Sequence, residues 1–421
     1  MLPYANHRAH LDTIVRAALR AADPAEAVRR RFHPADFAGA GRVFIVGAGK
    51  AGAAMARAAV SVVGSRLASG VAAVLNPPTF NLPRTTFIRA GHPKPDEGSL
   101  RAGQAIAELL VETTERDLVL ALISGGGSAL LELPVPGVTL TELQLLTDQL
   151  LRSGATINEF NCVRKHLSRL KGGGLARLAA PARVLALILS DVIGDPLDVI
   201  ASGPTVPDPT TVADARDILK RRNVISGLAD SFRETPKPGD PIFARVTNRL
   251  IGSNAMAREA AAEAARSLGF NVELPEPIVQ GEAREWGTEL VRHLVSQRHQ
   301  VSNLPLALIY GGETTVIVKG NGVGGRNQEL ALAAAIALEG AARRVMIASV
   351  GTDGVDGPTA AAGAAATPES TARARALGLD PQAMLENNDS HSFFSALGDC
   401  IITGPTGTNV NDLVLVLMYL A

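Results

Sequence analysis

The stretch from Gly311 to Glu329, GGETTVIVKGNGVGGRNQE, concentrates the residue types that can do chemistry. It begins where an apolar run (LALIY) stops and ends where a helical run (LALAAAIALEG) starts. Glycine lets backbone approach a ligand closely and supplies positive φ. A helix N-terminus just beyond offers unpaired N–H groups and a partial positive charge. The stretch therefore predicts an anion site, with Arg326 as a planar fork for phosphate or carboxylate and Glu313, Gly325 and Asn327 around the same turn. The plainer alternative is a glycine-rich hairpin leading into a capped helix.

The pattern recurs at other strand ends. RVFIV (42–46) runs into GAGKAG, where Gly47, Gly49 and Gly52 match the G-x-G-x-x-G of a dinucleotide fold. Lys50 inside that turn would project a charge into the phosphate region. The next strand, VAAVL, is followed by Asn76 and two prolines instead of a ribose-binding acid. What remains is a strand–turn–helix with Gly47, Gly49 and Lys50 at a ligand edge. DLVLALI (117–123) ends in Ser124, Gly125, Gly126, Gly127 and Ser128, a second phosphate-type nest. No Ser/His/Asp set stands near it, so the serines read as binders, not nucleophiles. In NCVRKHLSRLK (161–171), Arg164 and Lys171 are the cations chosen to reach a ligand, against a solvated basic face. A buried strand, 184–189, ends in SDVIGDPLD. Asp191 and Asp195 lie there, where open α/β sheets place ligands. Such carboxylates suit Mg²⁺, and Asp191 could instead orient or deprotonate a hydroxyl. Asp353 and Asp356 sit on a further glycine-rich turn after RVMIASV. His92 and Lys94 in GHPKPDEGS belong to a site or to a surface loop.

These turns need sheets and helices to hold them. At 421 residues, two domains are expected. The linker-like GLADSFRETPKPGDP (227–241) puts the boundary between 1–235 and 236–421, with a return of the last strand to the first domain left open. His7–Arg31 reads as one amphipathic helix covering the first domain. Ser99 is expected to cap the helix after it, and Thr139 with Glu142 to form a capping box. The spacing predicts another helix over 283–298. The expected class is α/β: a largely parallel, Rossmann-like sheet in the N-terminal domain, a smaller α/β C-terminal domain, and the active site in the cleft between them.

Composition narrows the function. Lys plus Arg equals Asp plus Glu, 41 each, so nothing points to nucleic acid or an anionic membrane. Aromatics are only 4% beside abundant alanine and glycine, so helices should pack closely. No run of 18 apolar residues suggests a membrane span. The start of the chain lacks a secretory core, and Cys162 and Cys400 have no metal or redox spacing; a cytoplasmic setting is expected. Glycine nests, isolated cations and strand-end acids suit phosphoryl transfer, which needs positioning and charge neutralisation above all.

The blocks GAGKAG (47–52), SGGGSALLELP (124–134), NCVRKHLSRLKGGGLA (161–176), SDVIGDPLDVIASGPTVPDPTT (190–211), GGETTVIVKGNGVGGRNQELAL (311–332), GTDGVDGPTAAAG (351–363) and GTNVNDL (407–413) resemble, in order, the glycerate 2-kinase family, also called class II glycerate kinase or the MOFRL group. The resemblance implies ATP-dependent phosphorylation of D-glycerate at its 2-hydroxyl to 2-phosphoglycerate, with Mg²⁺. It carries Lys50 and Arg326 over as active-site cations, and Asp191 and Asp353 as base or metal residues; the strand-end carboxylates themselves add Asp195 as a metal candidate. Some members are labelled hydroxypyruvate reductase, so an NAD(P)H-dependent reductase is the alternative. The expected partners are glycerate and a nucleotide; oligomeric state stays open, a homodimer included.

Overall fold

The computed structural model describes residues 3–276, 278–296, 305–340 and 344–420. They form two compact units. The first unit is Pro24–Ile251, and the second combines Met1–Asp23 with Gly252–Ala421.

In the first unit the strands are β1 (Val43–Ala48), β2 (Leu67–Val74), β3 (Thr85–Arg89), β4 (Leu118–Ile123), β5 (Arg183–Leu189) and β6 (Val246–Gly252). They lie in the order β3-β2-β1-β4-β5-β6, and β1 to β5 pair in parallel. This is the order of the doubly wound dinucleotide sheet. β1 and β4 are buried along their whole length, as expected for central parallel strands covered on both faces. The crossover helix Glu97–Val111 packs Ile106 and Leu110 onto the sheet in one core with Phe44, Val46 and Val119. Its cap differs from the expectation. Asp96 is the N-cap and accepts the Ser99 N–H at 2.9 Å, while Ser99 Oγ accepts the Asp96 N–H at 3.1 Å. Thr139 and Glu142 form the expected box, with Glu142 N–H on Thr139 Oγ1 at 3.2 Å and Thr139 N–H on Glu142 Oε2 at 2.8 Å.

The second unit holds β7 (Asn271–Glu273), β8 (Leu306–Gly312), β9 (Val345–Gly351), β10 (Gly363–Ala366), β11 (Cys400–Ile401) and β12 (Asp412–Met418). The order is β11-β10-β9-β12-β8-β7. β12 runs antiparallel between β8 and β9, pairing Asp412 with both Gly312 and Gly351. Its N-terminal residue thereby stands beside the C-terminal ends of two neighbours. β12 thus stays at the centre of this sheet and does not return to the first unit.

Two expectations about the chain's division change. His7–Arg31 is two helices, His7–Ala22 and Pro24–Arg31, because Pro24 offers no N–H and biases Asp23 to its extended ψ of 122°. The first of these packs on the helix Asn254–Leu268 of the second unit, with His10 edge-on to Phe270. The other belongs to the first unit, so the helix expected to cover that domain splits between the units. The boundary expected at 235/236 falls at 251/252 instead. The proline-rich segment before it is tied down, with Asp208 N–H on Pro236 O at 2.9 Å and Thr235 Oγ1 donating to Asp208 Oδ2 at 2.9 Å. β6 then joins the first sheet as its edge. Residues 297–298 of the expected helix lie outside the described residues; the helix spans Ala283–Ser296 as described.

Close helix packing takes concrete form at Gly287. A Cβ there would collide with the backbone O of Leu330 in the helix Arg326–Ala337 and lie 3.3 Å from Ala333 Cβ. Gly287→Ala gains about 1 kcal/mol of helix propensity, but the displaced backbone should cost more. We expect a net loss of about 1–3 kcal/mol, read as a lowered denaturant midpoint; an unchanged or raised midpoint would mean the two helices separate freely.

Candidate active site

In the order 3-2-1-4-5-6 the connections leave β1 and β4 in opposite directions, which opens a crevice beyond their C-terminal ends. The turns there are Gly47–Ala51 and Ser124–Ser128. They close on each other: Ser124 N–H donates to Ala48 O at 3.0 Å, Lys50 N–H to Gly125 O at 2.9 Å, and Ala51 N–H to Ser124 Oγ at 3.2 Å. Gly49 N–H is taken by Ala73 O and Gly52 N–H by Gly49 O. The N–H groups of Gly49 to Gly52 are therefore spent on the protein itself. Gly47 and Gly49, expected as ligand contacts, are needed here for packing. A Cβ on Gly49 would collide with Ser124, and one on Gly47 would lie 3.1 Å from Ala72 Cβ.

The lysine side chain stays exposed over the nest. Gly126 has φ 80°, the left-handed turn that makes the nest. A Cβ at this glycine would lie 3.3 Å from Lys50 Cε and 3.1 Å from His92 Cδ2, so lysine, histidine and nest meet at one point. A Cβ on Gly125 would collide with Asp191 Oδ2, which brings that carboxylate to the same loop. Burial, then the Lys50 charge, push the His92 imidazole below its ordinary value. The sequence left His92 open between a site and a surface loop. Lys94 from the same loop is elsewhere, paired with Asp148 at 2.6 Å.

Arg164 and Lys171 do not line the crevice as expected. Both are buried around Glu132, Arg164 Nη2 at 3.2 Å and Lys171 Nζ at 2.7 Å from Glu132 Oε2. Arg164 supports the nest from behind, donating to Ser128 Oγ at 3.1 Å and Ser128 O at 2.9 Å. Ser128 Oγ also meets Ser202 Oγ at 2.7 Å, and Ser202 donates to Asn161 Oδ1 at 2.9 Å. Ala201 and Ser202 hold φ of 50° and 60°, a left-handed pair of non-glycine residues of the kind found where function fixes the backbone. Burial raises the Glu132 carboxyl, yet Lys171 and Arg164 overcome it and hold it below its ordinary value. Burial brings Lys171 down to about 8.

In the second unit the glycine-rich stretch behaves otherwise than its composition suggests. Its N–H groups bind protein: Lys319 and Gly320 donate to Asn388 Oδ1 at 2.7 and 3.0 Å, Gly322 to Asn387 O at 2.9 Å, and Val323 to Asp389 Oδ1 at 3.1 Å. The helix N-terminus is likewise filled, because Asp356 accepts the Asn327 and Gln328 N–H groups at 3.0 and 2.9 Å. Gly325 has no room for a Cβ beside Asp356, and Asn327 is buried against Asp356 and Ser349. Both were expected to touch a ligand and instead serve the cap. Arg326 forms a fork onto Asp412, Nε to Oδ2 at 2.6 Å and Nη2 to Oδ1 at 3.0 Å, and Nη1 meets Glu313 Oε1 at 2.7 Å. Asn411 Nδ2 holds the other Glu313 oxygen at 2.9 Å. Burial lifts the Asp412 carboxyl to about 6 even with Arg326 beside it. Asp412 carried no signal of its own; only its place in β12 brings it to the arginine.

Among the described residues no group of three or more His, Cys, Asp or Glu could hold a metal. Asp191, Asp195 and Asp353 thus form no closed cage. Asp353 Oδ1 accepts the Val355 N–H at 3.1 Å, and Asp195 occupies a left-handed turn with φ 54°. Asp191 alone stands at the nest, which fits a Mg²⁺ that takes one or two carboxylates and brings its remaining ligands with substrate phosphates.

Residues 10–235 match a domain of unknown function (DUF4147), and residues 306–412 match the MOFRL family. The chain is 44% identical to the D-glycerate 2-kinase of Thermotoga maritima, with 96% of each chain covered. The chain belongs to the glycerate kinase family. A crystal structure of glycerate kinase from Thermotoga maritima superposes with a TM-score of 0.92 at 43% identity, covering 98% of this chain and all of that one. A glycerate 2-kinase from Pyrococcus horikoshii is 39% identical over 96% of each chain. The mixed α/β fold and the parallel sheet expected from the sequence are those of this family.

The charge triad under the nest is testable. Glu132→Ala leaves Lys171 and Arg164 buried without a counter-charge, and we expect a stability loss of about 3–5 kcal/mol, measured by urea unfolding. A loss within about 0.5 kcal/mol, the range of ordinary surface substitutions, would show that the triad does not hold this region.

Proposed function

We propose that this chain transfers the γ-phosphoryl group of ATP to the 2-hydroxyl of D-glycerate, giving 2-phosphoglycerate and ADP. The observation that carries this reading is the meeting of Lys50, His92, Asp191 and the Ser124–Ser128 nest at the switch point of the first sheet. Relatives named glycerate kinase support the substrate and the class of reaction.

The residues divide the work as follows. The nest offers backbone dipoles to a phosphate or to the glycerate carboxylate. Lys50, exposed above it, neutralises charge on the phosphoryl group in flight. Asp191 orients the 2-hydroxyl and accepts its proton, or lends a carboxylate to the metal. Mg²⁺ would supply charge neutralisation of the ATP phosphates when bound. Arg164 holds Ser128 still, a positioning role, and Lys171 acts one step further back through Glu132. Within the second unit, Arg326 could take an anion if the half-exposed Glu313 gives up its contact, while Asp412 keeps the fork oriented.

The reductase alternative meets two obstacles. The N–H groups of Gly49 to Gly52 in the turn after β1 are taken by the protein, and β2 ends at Val74 with Leu75-Asn76-Pro77 following instead of an acid. A coupled ADP assay with ATP, Mg²⁺ and D-glycerate tests the proposal, with enolase added to distinguish 2- from 3-phosphoglycerate. NADH absorbance with hydroxypyruvate tests the rival. We expect ADP release and no NADH loss, and a fall of about two to four orders of magnitude in kcat for Lys50→Ala. A Lys50→Ala kcat near that of the unsubstituted chain would remove the lysine from the mechanism.

A further inference from the structure

The first unit contains a second cationic recess whose lining includes neither the nest, nor Lys50, His92 or Asp191. It is a cavity of about 450 Å³ between the Ser168–Lys171 turn, the helix Gly174–Ala179 and the segment 233–236. Arg169, Arg177 and Arg233 stand around it, all three exposed, and the buried Lys171 lies in its wall. Among the described residues the Arg169 guanidinium makes no hydrogen bond or ion pair. Arg177 donates to Glu234 O at 3.3 Å, and Arg233 donates to Asp230 O at 3.2 Å and Phe232 O at 3.0 Å. Each guanidinium has five N–H donors, so both keep donors to spare. The acid in the lining, Glu234, is engaged by the Val212 N–H at 2.9 Å and by Lys237 at 2.9 Å. Three arginines stand around a recess of ligand size, and the local acid is already paired.

We propose that this recess binds a small phosphate-bearing anion, as a site separate from the one that performs the transfer. The arginine forks match phosphate oxygens, and the enclosing wall of Val135, Pro136 and Leu178 limits the size of what the phosphate is attached to. The recess is wired to the nest. Lys171 in its wall bonds Glu132 at 2.7 Å, Glu132 bonds Arg164 at 3.2 Å, and Arg164 bonds Ser128 Oγ at 3.1 Å.

The test is calorimetric titration of the full chain with inorganic phosphate, without nucleotide or glycerate. Lys50→Ala is used as background to weaken binding at the nest. We expect that background to retain a phosphate site. Adding Arg169→Ala and Arg233→Ala should weaken it by about tenfold or more, as expected for lost charge-assisted hydrogen bonds. Arg169→Lys should recover part of the affinity. Arg169→Ala alone serves as the variant if the double change unfolds the protein, since that guanidinium supports nothing else. A second titration with 2-phosphoglycerate sorts the ligand: tighter binding than inorganic phosphate marks a phosphorylated acid, and equal binding marks the phosphate group alone. Equal phosphate affinity with and without the arginines, or no phosphate binding in the Lys50→Ala background, overturns the site. Either result leaves the transfer reaction to be judged by its own ADP assay.

Discussion

The interlocking of two turns at the C-terminal edge of the first sheet is the constraint on which the site depends. Ser124 stands at its centre: its N–H reaches back to Ala48, its hydroxyl accepts from Ala51, and the carbonyl of the next residue accepts from Lys50. The backbone of the lysine turn is thereby fixed by the nest, while the lysine side chain is left to project over it. A glycine-rich turn that would be a cofactor cradle in another protein becomes a mounting for one cation. The same bonds occupy the N–H groups of Gly49 to Gly52.

Behind this edge the protein concentrates buried charge. Glu132, Arg164 and Lys171 are nearly inaccessible. Such groupings seldom add stability over apolar packing, and their value lies in fixing one arrangement. Here that arrangement holds Ser128 by both its hydroxyl and its carbonyl. In the second unit the Arg326–Asp412–Glu313 set follows a similar logic. An antiparallel strand inserted between two others brings an acid to the edge where the arginine begins its helix.

Much of the fold was legible in the sequence because local signals carry it. Continuous apolar runs marked β1, β4, β5, β8 and β9, and glycine with polar residues marked their ends. Lys50, Asp191 and the SGGGS loop converge because each follows a central parallel strand, a placement that strand order alone predicts. The glycine-rich stretch 311–329 misled for a definite reason. Glycine density signals close approach but not the partner. The partners, Asn387, Asn388 and Asp389, lie far along the chain with no local mark. The helix N-terminus read as an anion site is one, but the anion is the protein's own Asp356. Arg164 and Lys171 were read as cations reaching a ligand, and nothing near them in sequence announced that both pair with the buried Glu132. Pro24 was in plain view, and its effect on the preceding residue splits the first helical run between the two units.

Phosphorus NMR of the full chain incubated with ATP, Mg²⁺ and D-glycerate tests the account most directly, because it identifies the bond formed. The account predicts a growing phosphomonoester resonance that couples to the proton on carbon 2 and rises in step with ADP. A resonance coupled to the carbon 3 protons, or ATP unchanged while hydroxypyruvate consumes NADH, would contradict it.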